Sequence, residues 1–242
     1  MTYKNTYLFA DIPVEIICIH EYLVRQCRDY ITDKTPVISM EMTESDIRQE
    51  QARSEEKGFS EGYFESLALY RKLCNRLARE NIILFHSCAV SMDGRAYLFT
   101  APSGTGKSTH ASLWQKAFGE RVHIINGDKP LIKVSSEHIT VYGTPWNGKE
   151  HWGENTSAII AGICFLSRGE QNKIKPISGN DAMPLLYRQV YKTSSAEELS
   201  HIMKSLTEIA QRIPLWQLEC NISLEAAELS YSTMSKGKKD EV

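Results

Sequence analysis

The spacing of apolar residues changes several times along the chain. Over residues 1–40 apolar and polar positions alternate weakly: Tyr7–Ala10 and Ile12–Ile19 predict strands, His20–Tyr30 a short helix and Pro36–Met42 another strand. Thr43-x-x-Asp46 predicts a helix cap. Residues 46–57 are almost wholly polar and read as a solvated helix or a mobile connection rather than a binding surface. From Tyr63 the period lengthens, and Leu67, Tyr70, Cys74 and Leu77 fall on one helical stripe. These shifts place a boundary near residue 80. They predict a small N-terminal α+β region over 1–80, suited to substrate or partner recognition, a core over 81–235, and a disordered polar tail over 236–242.

The core opens with two strand-like runs, Ile82–Ser91 and Arg95–Thr100, joined by Met92-Asp93-Gly94. Asp-Gly between apolar runs predicts a hairpin, so the strand ending at Thr100 pairs antiparallel with the one before it. A doubly wound parallel sheet does not begin that way; the reading is an α/β fold with a mixed sheet. Lys107 opens a helix with Leu113, Trp114, Ala117 and Phe118 on one face, stopped by Gly119. Strands follow at Arg121–Asn126, Leu131–Val134, His138–Tyr142, Ser157–Leu166 and Lys173–Ile177. Helices are predicted near Asp181–Tyr191 and Ala196–Arg212, capped by Ser178-x-x-Asp181 and Ser194-x-x-Glu197. A strand at Leu215–Cys220 and a helix over 224–235 complete the core.

Between the Thr100 strand and the Lys107 helix lies Ala101-Pro102-Ser103-Gly104-Thr105-Gly106-Lys107-Ser108-Thr109. Strand, glycine loop, Gly-Lys-Ser and helix form the context of a phosphate-binding (Walker A, P-loop) motif. Gly104 and Gly106 let several amide N–H groups converge on one anion, and the helix N-terminus adds partial positive charge. Ser103 to Thr109 are thus the expected ATP-binding residues, with Lys107 on the β- and γ-phosphates and Ser108 on Mg²⁺. The usual pattern begins with Gly four residues before the Gly-Lys pair; Ala101 stands there, so that position must accept a Cβ.

Phosphoryl transfer also needs a carboxylate near the metal. Asp128, in Asn126-Gly127-Asp128-Lys129-Pro130 after a strand, is the candidate if that strand lies beside the loop strand; a plain Gly-Asp turn is the other reading. Asn126 is placed to accept a water and Lys129 to touch a phosphate. His86, in Leu84-Phe85-His86-Ser87-Cys88, is either a structural histidine of an apolar strand or a group facing the phosphates. The stretch Gly143-Thr144-Pro145-Trp146-Asn147-Gly148-Lys149-Glu150-His151-Trp152-Gly153 reads as a functional loop or as a packed one with its tryptophans in the core. In the first reading Trp146 and Trp152 exclude water and Lys149 contacts phosphate or substrate. His110 faces either the nucleotide or the sheet, and Arg168 is a solvated turn residue or a cationic stabiliser of the transition state.

Among 242 residues, 42% are apolar and 24% charged, as in a globular protein with a sizeable core. Net charge is −2 with no basic run interleaved with aromatics, which gives nucleic-acid binding no electrostatic support. Six cysteines without a C-x-x-C pair predict buried free thiols in a reducing cytoplasm. No stretch has transmembrane length, so no membrane role is expected.

His86-Ser87-Cys88-Ala89, the hairpin, Ser103–Thr109 and Gly127-Asp128 together resemble ATP-dependent phosphoenolpyruvate carboxykinase and the smaller HPr kinase/phosphorylase that shares its nucleotide-binding core. The resemblance covers roughly residues 84–180, including Glu154-Asn155-Thr156 and the run from Phe165-Leu166 into Ile174–Ser178. It implies a mixed-sheet P-loop core of that type with ATP and Mg²⁺ (or Mn²⁺) as cofactors. It also implies His86 and Asp128 as catalytic and metal-site residues; HPr kinases form hexameric rings, which leaves a homo-oligomer open here, while the unfamiliar N-terminal portion leaves room for another assembly. Both families have Asp-Asp where this chain has Asp128-Lys129, and residues before 80 match neither. The chain is too short for a carboxykinase's oxaloacetate site. The resulting expectation is a kinase that phosphorylates a hydroxyl of a small metabolite or of a serine in a peptide or protein. The alternative is a nucleotide-binding regulatory or assembly protein with little or no turnover, which the Asp128-Lys129 departure supports.

Overall fold

Short apolar runs separated by left-handed turns set the first part of the structure, a computed structural model describing residues 2–54 and 58–236. Residues 55–57 of the predicted polar stretch and 237–242 of the predicted tail lie outside the described residues. The chain divides into two units, Met1–Leu77 and Ala78–Val242.

In the first unit β1 (Tyr3–Phe9) and β2 (Ile12–Cys18) form an antiparallel hairpin whose turn, Ala10-Asp11, has φ of 47° and 68°. Helix α1 (Glu21–Gln26) gives way to a 3₁₀ turn at Arg28–Tyr30, so the predicted helix over 20–30 is two short pieces. Strand β3 (Ile38–Glu41) then runs parallel to β2. Helix α2 (Glu44–Arg53) starts with a capping box in which the Thr43 side chain accepts from the Asp46 N–H and Asp46 accepts from the Thr43 N–H. Helix α3 (Glu61–Ala78) follows. The interior is built from Tyr7, Phe9, Val14, Ile16, Leu23 and Leu69, all at most 1% exposed.

The second unit is a mixed nine-stranded sheet between two layers of helices. In chain order its elements are β4 (Ile82–Leu84), β5 (Cys88–Met92), β6 (Arg95–Thr100), α4 (Lys107–Phe118), β7 (Val122–Asn126), β8 (Leu131–Val134), β9 (Ile139–Tyr142), β10 (Ser157–Arg168), β11 (Lys173–Pro176), α5 (Gly179–Gln189), α6 (Ala196–Arg212), β12 (Leu215–Cys220) and α7 (Leu224–Met234). The strand order is β4-β8-β9-β10-β6-β5-β7, with β12 joining the second half of β10 and β11 joining β12. Strands β6, β10 and β12 are mutually parallel where they pair; every other pairing in this sheet is antiparallel. The Asp93-Gly94 turn of the β5–β6 hairpin has positive φ at both residues, 53° and 75°, as its tight geometry requires.

Burial of both sheet faces explains the near-continuous apolar runs. Ala96 and Leu98 of β6 face the core closed by Ala182 and Leu186 of α5 and by Ile202, Leu206 and Ile209 of α6. Tyr97 and Phe99 face the other core, closed by Leu113 and Trp114 of α4 and by Ala227 and Met234 of α7.

Three local expectations are corrected. Ile82–Ser91 is not one strand: β4 pairs with β8 and β5 with β6 and β7, and residues 85–87 cross between them. Strand β7 is not beside the loop strand β6, because β5 lies between them. The cap of α6 is Ser195, which accepts from the Glu198 N–H, not Ser194; Thr193 Oγ1 accepts from the Ser195 N–H and donates to Glu198, fixing the start one residue later.

Burial disfavours the Asp46 carboxylate, but Lys72 at 2.6 Å and the bonds from Thr43 outweigh it and hold the group below the usual carboxylate range. A carboxyl depressed on folding stabilises the fold above its unfolded value, about pH 4, and that stability is lost as pH falls through the lower folded value. Asp46→Ala is expected to cost on the order of 1 kcal/mol in urea denaturation at pH 7, with a smaller difference from wild type at pH 3.

Candidate phosphate-binding site

Strand β6 ends at Thr100, and residues 101–106 carry the chain into α4 at Lys107. Gly104 and Gly106 take φ of +75° and +124°, where an L side chain is strained. Gly106 is the N-cap of α4 and brings no side chain to its amides, so the first-turn N–H groups are left for an outside acceptor. Lys107 Nζ donates to the Ala101 carbonyl at 3.0 Å, lying across the loop from its end to its start. Ala101 is 3% exposed and outside the positive-φ region, so its Cβ packs inward where the usual motif has glycine. Ser103, Gly104 and Thr109 are exposed; Thr105, Gly106, Lys107 and Ser108 are half-buried.

Asp128 follows β7 through Gly127 and is aimed by Asn126. Fully buried, Asn126 accepts through Oδ1 from the N–H groups of Asp128 (2.9 Å) and Lys129 (2.7 Å). Its Nδ2 donates to the Thr144 carbonyl and Oγ1 at 3.0 and 3.1 Å. The expectation that Asn126 accepts a water or contacts substrate is thereby corrected: its oxygen is spent on the turn that places Asp128 and its nitrogen on Thr144.

The Asp128 carboxylate sits between two partners, His86 Nε2 at 2.6 Å from Oδ1 and Lys129 Nζ at 3.1 Å from Oδ2. Burial by itself raises this carboxyl; the His86 hydrogen bond and the Lys129 charge outweigh it and hold the group far below the usual carboxylate range. An ionised carboxylate only accepts, so His86 Nε2 carries a proton and donates. That nitrogen bonds Asp128, so His86 and Asp128, the two residues expected at a metal, stand side by side. His86 lies outside any strand, at the crossing between β4 and β5. Its carbonyl accepts from Thr100 Oγ1 (2.8 Å) and its N–H donates to the Gln189 carbonyl (2.7 Å), while the neighbouring Ser87 N–H donates to the Asp128 carbonyl. The last residue of the loop strand thus clips His86 in place.

The segment after β9 folds back over Asp128. Gly127 N–H donates to the Trp152 carbonyl at 2.8 Å, and Asn126 bridges to Gly153. A Cβ on Gly148 (φ +83°) would stand 2.9 Å from Asp128 Cβ and 3.6 Å from Glu150 Oε2, so these two acidic side chains flank one point. Buried Cys88 registers the same convergence. Burial pushes its thiol up to about 12, the Glu150 and Asp128 carboxylates add to this, and Lys107 opposes it. Lys107 in turn is lowered by burial, against the opposing charges of Asp128 and Cys88.

Glu150 escaped the sequence reading; a carboxylate two residues beyond Gly148 in a glycine-rich loop is the signal that was available. Trp146 is 4% exposed, as the packed reading of the loop has it and not as a substrate contact would require; Trp152 is half-buried against the α4–α7 core, and Lys149 is exposed. His110 faces the core: its ring lies 4.5 Å from that of Phe99 and 3.1 Å from Ser230 Oγ, and Trp114 Nε1 donates to it. Burial lowers His110 to about 4, leaving it neutral. Arg168, exposed at the end of β10, hydrogen-bonds the loop carbonyls of Gly104 and Thr105.

The oxygen donors of the loop and of the Asp128 turn are of the chemical type that a hard divalent cation takes. Ser108 offers a hydroxyl, and Asp128 and Glu150 offer carboxylates. Mg²⁺ typically takes one or two carboxylates and completes its octahedron with phosphate oxygens and water. No group of three or more His, Cys, Asp or Glu set to hold a metal exists among the described residues.

No protein-family model and no curated protein matches the chain. Among solved structures, the chain is similar to the HPr(Ser) kinase/phosphatase from Coxiella burnetii at 10% identity and a TM-score of 0.37, over 63% of this chain and 93% of that one. No described helix is long and apolar enough to cross a membrane.

Asn126→Ala strands two backbone N–H groups in a buried turn, and thermal or urea denaturation is expected to show a loss of about 1–3 kcal/mol.

Proposed function

We propose that this protein is an ATP- and Mg²⁺-dependent kinase that transfers the γ-phosphoryl group to an alcohol, of a small metabolite or of a serine in a peptide or protein. The observation that carries this reading is the loop. Two left-handed glycines lead into an open helix N-terminus, and a half-buried lysine lies across the loop with an ionised carboxylate near it. The loop amides and Lys107 hold the phosphates, and Lys107 exchanges the Ala101 carbonyl for a phosphate oxygen. Ser108 and Asp128, with Glu150, would hold a Mg²⁺ ion, which would supply neutralising charge on the phosphate oxygens.

His86 orients Asp128 and supports its charge. So strongly depressed a carboxyl is a poor proton acceptor, which suits orientation of the acceptor hydroxyl better than general-base catalysis. A loose phosphoryl-transfer transition state asks for positioning and charge above all. Lys129 brings a fixed positive charge to the γ-phosphate side. The Met1–Leu77 unit, which carries none of these residues, is assigned recognition of the acceptor or of a partner.

One feature favours a second reading, a nucleotide-binding regulator without turnover: both Asp128 oxygens are engaged, one of them by Lys129. ADP release from ATP and Mg²⁺, measured with and without hydroxylated metabolites and serine peptides, separates the two. Acceptor-dependent ADP release that falls by two or more decades in Lys107→Ala is the expected result. Tight ATP binding with no stimulation by any acceptor would favour the regulator. Mn²⁺ binding in the presence of a non-hydrolysable ATP analogue is expected to weaken about tenfold or more in Asp128→Asn.

A further inference from the structure

The loop that is to hold phosphate has a second cation on it, and this one does not point at the phosphate position. Arg168 is the last residue of β10, which runs parallel to the loop strand β6 with Phe165 opposite Thr100. Its side chain therefore leaves the sheet at the same edge as the loop. Nη2 donates to the Gly104 carbonyl at 2.5 Å and Nε to the Thr105 carbonyl at 3.3 Å.

We infer that Arg168 is a positioning residue that clasps the outer side of the phosphate-binding loop and sets the direction of its amides before any nucleotide arrives. The reason is the geometry of the peptide unit: in a planar trans peptide the C=O and the following N–H point opposite ways. Fixing the Gly104 and Thr105 carbonyls on one guanidinium sends the Thr105 and Gly106 N–H groups to the far side. The Thr105 N–H closes the turn onto the Pro102 carbonyl at 3.3 Å, and planarity turns the Gly106 N–H away from the guanidinium. Two left-handed glycines give this segment many conformations to lose, and a rigid fork with a full charge selects one of them. Lys107 bonds the Ala101 carbonyl and Arg168 the two carbonyls of the turn, and only Lys107 must let go when phosphate binds.

The clasp's consequence for nucleotide affinity rests on the phosphate-site reading above; the clasp itself does not. Two measurements on the full chain keep them apart. Hydrogen exchange of the peptide covering residues 101–107, without nucleotide, is expected to speed up at least tenfold in Arg168→Ala, less in Arg168→Lys, with an unchanged melting temperature. Unchanged exchange in Arg168→Ala overturns the clasp, whatever the protein does with ATP. Titration with fluorescent ATP analogue and Mg²⁺ is expected to give roughly tenfold weaker binding in Arg168→Ala, partly restored by millimolar methylguanidinium. Faster exchange in a protein whose wild type binds no nucleotide supports the clasp and overturns the phosphate-site reading. Weaker binding with wild-type exchange overturns the clasp and makes Arg168 a direct ligand contact.

Discussion

Strand β6 is buried on both faces, and the geometry of the second unit follows from that constraint. Its odd and even side chains must each meet a core, so α5 and α6 close one side and α4 and α7 the other. Where the strand ends at Thr100, the chain has to leave the sheet and enter a helix on one face. That exit is where backbone amides become free, and two glycines with positive φ make the turn. The hairpin partner β5 and the parallel neighbour β10 then bring His86 and Arg168 to the same end of the sheet. A sheet buried on one face alone would not have fixed the exit so tightly.

Electrostatics at this edge follows a consistent division. Asp128 is ionised because His86 and Lys129 outweigh its burial, and Lys107 is held as a half-buried cation partly by Asp128 itself. Charged groups are placed by neutral ones: Asn126 spends its amide oxygen on the Asp128 and Lys129 N–H groups and its amide nitrogen on Thr144, and Thr100 spends its hydroxyl on the His86 carbonyl. Such buried, fully engaged polar groups are costly to disturb. Preorganisation therefore resides in the side chains beneath the charges.

Local rules explain why much of this was legible from the chain alone. Glycine, lysine and serine in the span from Gly104 to Ser108 demand a strand before and a helix after, because only that backbone can turn there. Asp93-Gly94 demands a hairpin, since both residues must take positive φ. The cap of α2 is written in Thr43 and Asp46, three residues apart. Each depends on residues close in sequence, whose physics is carried by the backbone itself.

What the tertiary structure alone decided are the distances between residues remote in sequence. That β5 stands between β7 and β6 is a matter of sheet order, which no local pattern encodes. That His86 meets Asp128 depended on where the chain crosses from β4 to β5. The place of Arg168 depended on a parallel register with β6, and that of Glu150 on a return over Gly127, where a Cβ would stand only 3.0 Å from the Asn147 carbonyl oxygen. The sequence determined how the backbone turns at the loop and which charged residues flank that turn along the chain. Long-range packing determined their pairing, because a hydrogen bond or an ion pair forms by separation in space, and that separation is fixed only when both faces of the sheet are filled.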